Sequence, residues 1–190
     1  MNLPNRLTLL RVLLIPVFVV LFFIPGLSKE IEIYQNISLK LNYVIAGILF
    51  ILASITDYLD GHIARKRNIV TTFGKFCDPL ADKILVVSAL LLLMSDGLIH
   101  AWMIIVILAR EFIVSGVRML AVERGTVIAA SKLGKYKTVI SMITIIFMFI
   151  NPFEQIVILG DILAYLMVAA TVISGFDYFW KNRKVIFESI

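Results

Sequence analysis

The sequence predicts an all-α integral membrane protein with six transmembrane helices, one domain over residues 1–190, and both termini in the cytoplasm. Three observations predict it. The first is composition: 61% of the 190 residues are hydrophobic and the mean hydropathy is +0.98. Soluble domains sit near about 45–50% apolar, and a soluble core of this size could not enclose so much Leu, Ile, Val and Phe. The second is a set of six apolar runs, and the third is a one-sided distribution of Lys and Arg. Nothing in the chain resembles a soluble linker, an internal repeat or a low-complexity tract, so a single domain is expected.

In chain order the apolar runs are 7–25, 41–55, 80–94, 98–117, 139–150 and 156–180. A bilayer core takes about 20 helical residues, so several runs fall short unless their helices continue into charged ends. The start MNLPNRLTLLR does not read as a cleavable signal peptide, because Arg11 interrupts the apolar region and no small-residue cleavage site follows near Ser28. It is expected to be a retained first span, and without a transit peptide ahead of it the membrane expected is a bacterial plasma membrane. The second helix would continue through Asp57–Arg65. The third would begin at Asp78, with Asp78 capping it and Pro79 in its first turn. The fourth carries Arg110 and Glu111 along its length. Near the ends, His100 and Trp102 read as an outer interfacial belt, and Tyr178 and Trp180 as an inner one.

Basic residues set the orientation. Arg6 and Arg11, the 65–75 segment, the 118–137 segment and the C-terminal Lys181, Arg183 and Lys184 all fall on one side of a six-span layout. The facing segments 95–100 and 151–155 have no Lys or Arg, and Lys29 and Lys40 are accompanied by Glu30 and Glu32. The positive-inside rule puts the basic side in the cytoplasm. The net charge of +5 is thus topogenic, and no nucleic-acid partner is implied. Cys77 is the only cysteine, which excludes an intrachain disulfide and a cysteine-built metal site.

Against this apolar background stand DYLDGHIAR (57–65) and DPLAD (78–82). On helices Asp57 and Asp60 (i, i+3) share a face, as do Asp78 and Asp82 (i, i+4). Acids at helix ends commonly act as caps or solvated charges, but four at these spacings in one membrane protein would repel strongly and resist ionising. A divalent cation resolves that conflict, and oxygen-only ligands favour Mg²⁺ or Mn²⁺ over zinc. Gly61 and Gly74 permit close backbone approach by a phosphate or nucleotide. Arg65, on the helix of the first acid pair, offers a guanidinium to a phosphoryl group. Two metals on a diphosphate plus a base for an incoming hydroxyl would make a phosphoryl-transfer site.

The full string DYLDGHIARKRNIVTTFGKFCDPLAD resembles the signature of the CDP-alcohol phosphotransferases, D-x2-D-G-x2-A-R-x8-G-x3-D-x3-D. Asp57, Asp60, Gly61, Ala64, Arg65, Gly74, Asp78 and Asp82 are all in place. The resemblance covers essentially the whole chain. It implies a helical bundle, usually a homodimer, with a polar cavity open to the cytoplasm. It also implies that Asp57, Asp60, Asp78 and Asp82 hold two metal ions, with Asp82 as the general base. Gly61, Arg65 and Thr71 are implied as CDP contacts, and the segment around Asn5 as a cover over the nucleotide. A metal-bound carboxylate is a weak base, so its proton transfer would come late, as the acceptor oxygen attacks phosphorus.

The signature leaves the acceptor open. AREFIVSGVR contributes Arg110 and Arg118, and SKLGKYKT contributes Ser131, Lys132, Lys135 and Lys137. Several cations suit an acceptor with its own phosphate, although Arg110 and Glu111 could also simply pair. Both stretches resemble those of the phosphatidylglycerophosphate synthases within the family. That implies CDP-diacylglycerol and glycerol 3-phosphate as substrates, with Arg110, Arg118, Lys135 and Lys137 on the acceptor phosphate and Ser131 and Lys132 nearby. Within the family, the alternative is a cardiolipin synthase with phosphatidylglycerol as acceptor. Outside it, an Asp-lined cation channel or transporter would leave Gly61, Ala64, Arg65 and Gly74 without a role. A non-catalytic scaffold is disfavoured by the intact acids.

Overall fold

A computed structural model of the chain describes residues 3–34, 37–66, 72–123, 125–126, 128–129, 131–150 and 157–183. Among these are six α-helices: α1 (Leu3–Phe22), α2 (Leu41–Lys66), α3 (Thr72–Ser95), α4 (Ala101–Glu123), α5 (Lys132–Ile150) and α6 (Val157–Lys181). Each apolar run lies within or mostly within one of them. On length and composition, three described helices can cross a membrane, over Asn5–Phe22, Lys132–Ile150 and Ile158–Lys181, and Leu41–Asp57 is a shorter apolar stretch. Large apolar side chains such as Leu13, Val20, Ile105, Ile158 and Ile173 are exposed, as a lipid-facing surface requires. The protein is a helical membrane protein.

Two features depart from expectation. A short antiparallel hairpin, β1 (Glu30–Tyr34) with β2 (Ile37–Lys40), precedes α2 as an addition to the helical architecture. Its register sets Glu30 opposite Lys40 and Ile31 opposite Leu39. The period-2 alternation in EIEIY is a strand signal that the charge count of this segment obscured. The second is the start of α3. The helix begins at Thr72, so Asp78 does not cap it and Pro79 lies in its interior. Residues 72–77 are too polar to register as an apolar run, yet they are helical. Pro79 takes one N–H out of the ladder two turns into the helix.

The chain divides into two compact units. Unit 1 comprises 1–96 with 145–156, and unit 2 comprises 97–144 with 157–190. In unit 1, α1 packs against both α2 and α3. The buried face of α1 is Thr8, Arg11, Ile15, Phe18 and Phe22, at alternating steps of three and four residues, the stripe of a helix packed along its length. Its later part joins an aromatic cluster of Phe18, Phe22, Tyr43 and Phe149. Gly47 allows the close packing there, since a Cβ at that position would lie 3.1 Å from Phe149 Cβ and from Ile150 Cγ1. In unit 2, α4 packs against α6.

Candidate active site

The early, polar part of the α1 stripe meets the signature acids. Thr8 Oγ1 donates a hydrogen bond to Asp78 Oδ1 at 2.6 Å. One turn further on, the Arg11 guanidinium donates to Asp57 Oδ1 in an ion pair. Thr8 and Arg11 are i, i+3 neighbours, so α1 holds one acid of α2 and one of α3 at adjacent levels. The Arg11 side chain is 0% exposed whereas that of Asp57 is 33% exposed. Asp82, one turn beyond Asp78, is half-buried, and Gly74, one turn before it, is buried.

In unit 2 the central group is Glu111. Its Oε1 accepts from Arg110 Nη1 at 2.9 Å and from Lys137 Nζ at 2.7 Å. Two cations on one carboxylate leave the triad with a charge of +1. Lys137 is buried, and Arg110 Nε is buried with no hydrogen-bond partner among the described residues. Two glycines shape the space around Arg110. A Cβ at Gly175 would fall 2.9 Å from Arg110 Cγ, and one at Gly134 would fall 3.5 Å from Arg110 Nη2 and 3.2 Å from Ser131 Oγ. Ser131 caps α5: Gly134 N–H donates to its Oγ at 3.0 Å, and Lys135 N–H to its carbonyl at 3.2 Å. Arg118 reaches Tyr178, its Nε 3.4 Å from the phenol oxygen and its guanidinium carbon 5.7 Å from the ring centre. A cavity of about 380 Å³ is lined by Ser131, Lys132, Tyr178, Lys181 and Asn182, among others.

Comparison with known proteins matches residues 1–174 to the CDP-alcohol phosphatidyltransferase family. The chain belongs to that family. Among its relatives is a Bacillus subtilis (strain 168) protein named CDP-diacylglycerol–glycerol-3-phosphate 3-phosphatidyltransferase, 44% identical over 188 residues, covering 97% of each chain. Proteins of the same name from Rickettsia typhi and Sodalis glossinidius are 37% and 32% identical. The first alignment covers 94% of this chain and 95% of the relative, the second 99% and 98%.

Membership of the CDP-alcohol phosphatidyltransferases makes the placement of each expected residue informative. Asp57, Asp60, Gly61 and Arg65 are all on α2, and Gly74, Asp78 and Asp82 on α3. The side chains of Asp60 and Arg65, and Thr71 altogether, lie outside the described residues. Asn5 is on α1, half-buried. Of the acceptor candidates, the structure brings Arg110 and Lys137 together on Glu111, with Ser131 and Arg110 both beside Gly134, whereas Arg118, Lys132 and Lys135 are exposed. Tyr178 is not the interfacial belt residue expected: it is buried with Val114 and Val117. Trp180 is exposed, stacked on Phe176 and 4.5 Å from the Arg183 guanidinium carbon.

Sequence reasoning missed the contacts of Thr8 and Arg11 with the signature acids and, although it saw the Arg110–Glu111 pair, the bond of Lys137 to Glu111. Thr8 and Arg11 carry a signal in the sequence, since they continue the 8-11-15-18-22 stripe with polar residues where apolar ones belong. For the metals that the family implies, Asp57 and Asp78 present carboxylate oxygens from two helices at levels fixed by one neighbour. Such donors fit a hard divalent cation. Among the described residues, no three potential ligand side chains gather to hold an ion. Asp60, the fourth expected ligand, is outside that set.

Proposed function

We propose that the protein transfers the phosphatidyl group of CDP-diacylglycerol to glycerol 3-phosphate, giving phosphatidylglycerophosphate and CMP in phospholipid biosynthesis. The observation that carries this reading is the near full-length identity to relatives named for that reaction. It is supported by a signature intact at all eight positions.

In this reading Asp57, Asp60, Asp78 and Asp82 would hold two Mg²⁺ or Mn²⁺ ions, which supply positive charge to the diphosphate. Gly61 and Gly74 let the backbone approach the CDP moiety, Arg65 binds its phosphoryl oxygens, and Thr71 and Asn5 complete the nucleotide contacts. Asp82 takes the proton of the acceptor hydroxyl late, as the new oxygen–phosphorus bond forms and the bond to CMP breaks. Arg110 and Lys137 bind the phosphate of glycerol 3-phosphate, with Arg118, Lys135, Lys132 and Ser131 around them.

The same reading takes residues 1–190 as one catalytic domain with six spans in the cell membrane. Both termini and the active site are cytoplasmic, supported by the one-sided basic segments. A homodimer is supported by the family resemblance.

The test is CMP release by purified protein given CDP-diacylglycerol and Mg²⁺ or Mn²⁺, with glycerol 3-phosphate, phosphatidylglycerol, serine, inositol or inositol phosphate in turn. Release with glycerol 3-phosphate alone is expected. Release only with phosphatidylglycerol would make the protein a cardiolipin synthase, and ion flux without CMP release would make it a channel or transporter.

A further inference from the structure

We infer that Thr8 and Arg11 of α1 are positioning residues for the metal-binding carboxylates, Thr8 acting through Asp78 and Arg11 through Asp57; this rests on the metal-dependent reading above. Burial carries the inference. Thr8 and Arg11 are each 1% exposed, so neither reaches a ligand arriving from outside the packed helices. The carboxylates they contact are both half-buried, the Asp57 side chain 33% exposed. A group enclosed behind a carboxylate affects what that carboxylate binds only by setting its orientation and basicity.

Chemistry points the same way. A buried guanidinium in a membrane helix is costly and persists where a specific partner answers it. Here the partner is a signature acid 46 positions away. Threonine is matched in shape by valine, so packing alone does not call for the hydroxyl that Asp78 accepts at 2.6 Å. Both contacts lie on one turn of one helix, and that helix packs against α2 and α3. A single rigid element therefore sets the rotamers of two acids on two different helices. Fixing ligand carboxylates from behind is how outer-shell partners commonly tune a metal site, and losing one typically costs about 10–100-fold in metal affinity or activity.

Direct Mn²⁺ binding to the purified, detergent-solubilised protein, followed by electron paramagnetic resonance, tests this alongside CMP release. Thr8→Val keeps the shape and removes the donor, while Thr8→Ser keeps the donor. The expected result is a Mn²⁺ dissociation constant raised about tenfold or more in Thr8→Val, restored toward wild type in Thr8→Ser. The KM for glycerol 3-phosphate should be unchanged in both. Thr8→Val binding Mn²⁺ as tightly as wild type would overturn the positioning role while wild-type CMP release left the proposed reaction standing. Equal weakening in Thr8→Val and Thr8→Ser would also overturn it, by tracing the effect to packing. Wild-type protein that neither binds Mn²⁺ nor releases CMP would overturn the reaction itself.

Discussion

In unit 1 a fully enclosed guanidinium, Arg11, stands behind a partly open acid, Asp57. In unit 2 the signs are reversed: the Glu111 carboxylate stands between Arg110 and a buried Lys137. Both arrangements answer the cost of charge inside an apolar helical protein, because an uncompensated buried charge is strongly destabilising. They differ in what remains to be bound. In the signature region Asp57 pairs with Arg11 and Asp78 accepts from Thr8, and carboxylates of this kind suit a divalent cation. The Glu111 triad keeps a charge of +1 and suits an anion. Under the proposed function, the signature acids are assigned to the donor and the Glu111 triad to the acceptor, and the opposite sign of their charges supports that assignment.

That contrast can be broken at several points. The largest effect is expected from Asp82→Asn, which keeps size and polarity but removes the proposed base. CMP release should fall by about 10²–10⁴-fold, while the protein still elutes as folded material in size-exclusion chromatography. Glu111→Gln comes next. It removes the carboxylate that holds both Arg110 and Lys137, so the two cations lose their placement, and despite the added net charge the KM for glycerol 3-phosphate should rise about tenfold. The KM for CDP-diacylglycerol should stay within about twofold of wild type in the same assay.

Gly175→Ala places a methyl 2.9 Å from Arg110 Cγ, so the arginine must move. Overpacking of this kind costs about 1–3 kcal/mol. It should appear as a lower thermal midpoint in detergent together with a several-fold rise in acceptor KM. A fall in stability with acceptor kinetics untouched would detach Arg110 from the acceptor. The smallest effect is expected from Lys135→Ala. Lys135 is exposed, so its contribution is screened, and the acceptor KM should rise only about two- to threefold. A rise as large as that of Glu111→Gln would move the centre of the acceptor site from the buried triad to the exposed lysines.

Much of this organisation was legible in the sequence. Apolar runs located six helices, and the spacing of Asp57, Asp60, Asp78 and Asp82 placed two acids on each of two of them. Hydropathy failed where a helix opens on a mixed segment, as in residues 72–77, and so put the start of α3 six residues late. It failed again at EIEIY, where alternation rather than apolar content carries the signal. Arg11 counted as a topogenic charge and as a break in the first apolar run, because nothing local in the sequence names a partner 46 positions away. The Arg110–Glu111 pair was visible as an adjacent couple, but Lys137, on another helix, completes it only in three dimensions. Tyr178 looked like a belt aromatic near Trp180, yet helical geometry turns residues two positions apart to different faces.

One pair of titrations tests the division of labour most directly: initial rates of CMP release against Mg²⁺ and against glycerol 3-phosphate, for wild type, Thr8→Val and Glu111→Gln. The expected result is that Thr8→Val shifts only the Mg²⁺ curve and Glu111→Gln only the glycerol 3-phosphate curve. Both variants shifting both curves alike, or either shifting only the other's curve, would contradict the assignment of cation and anion to separate regions.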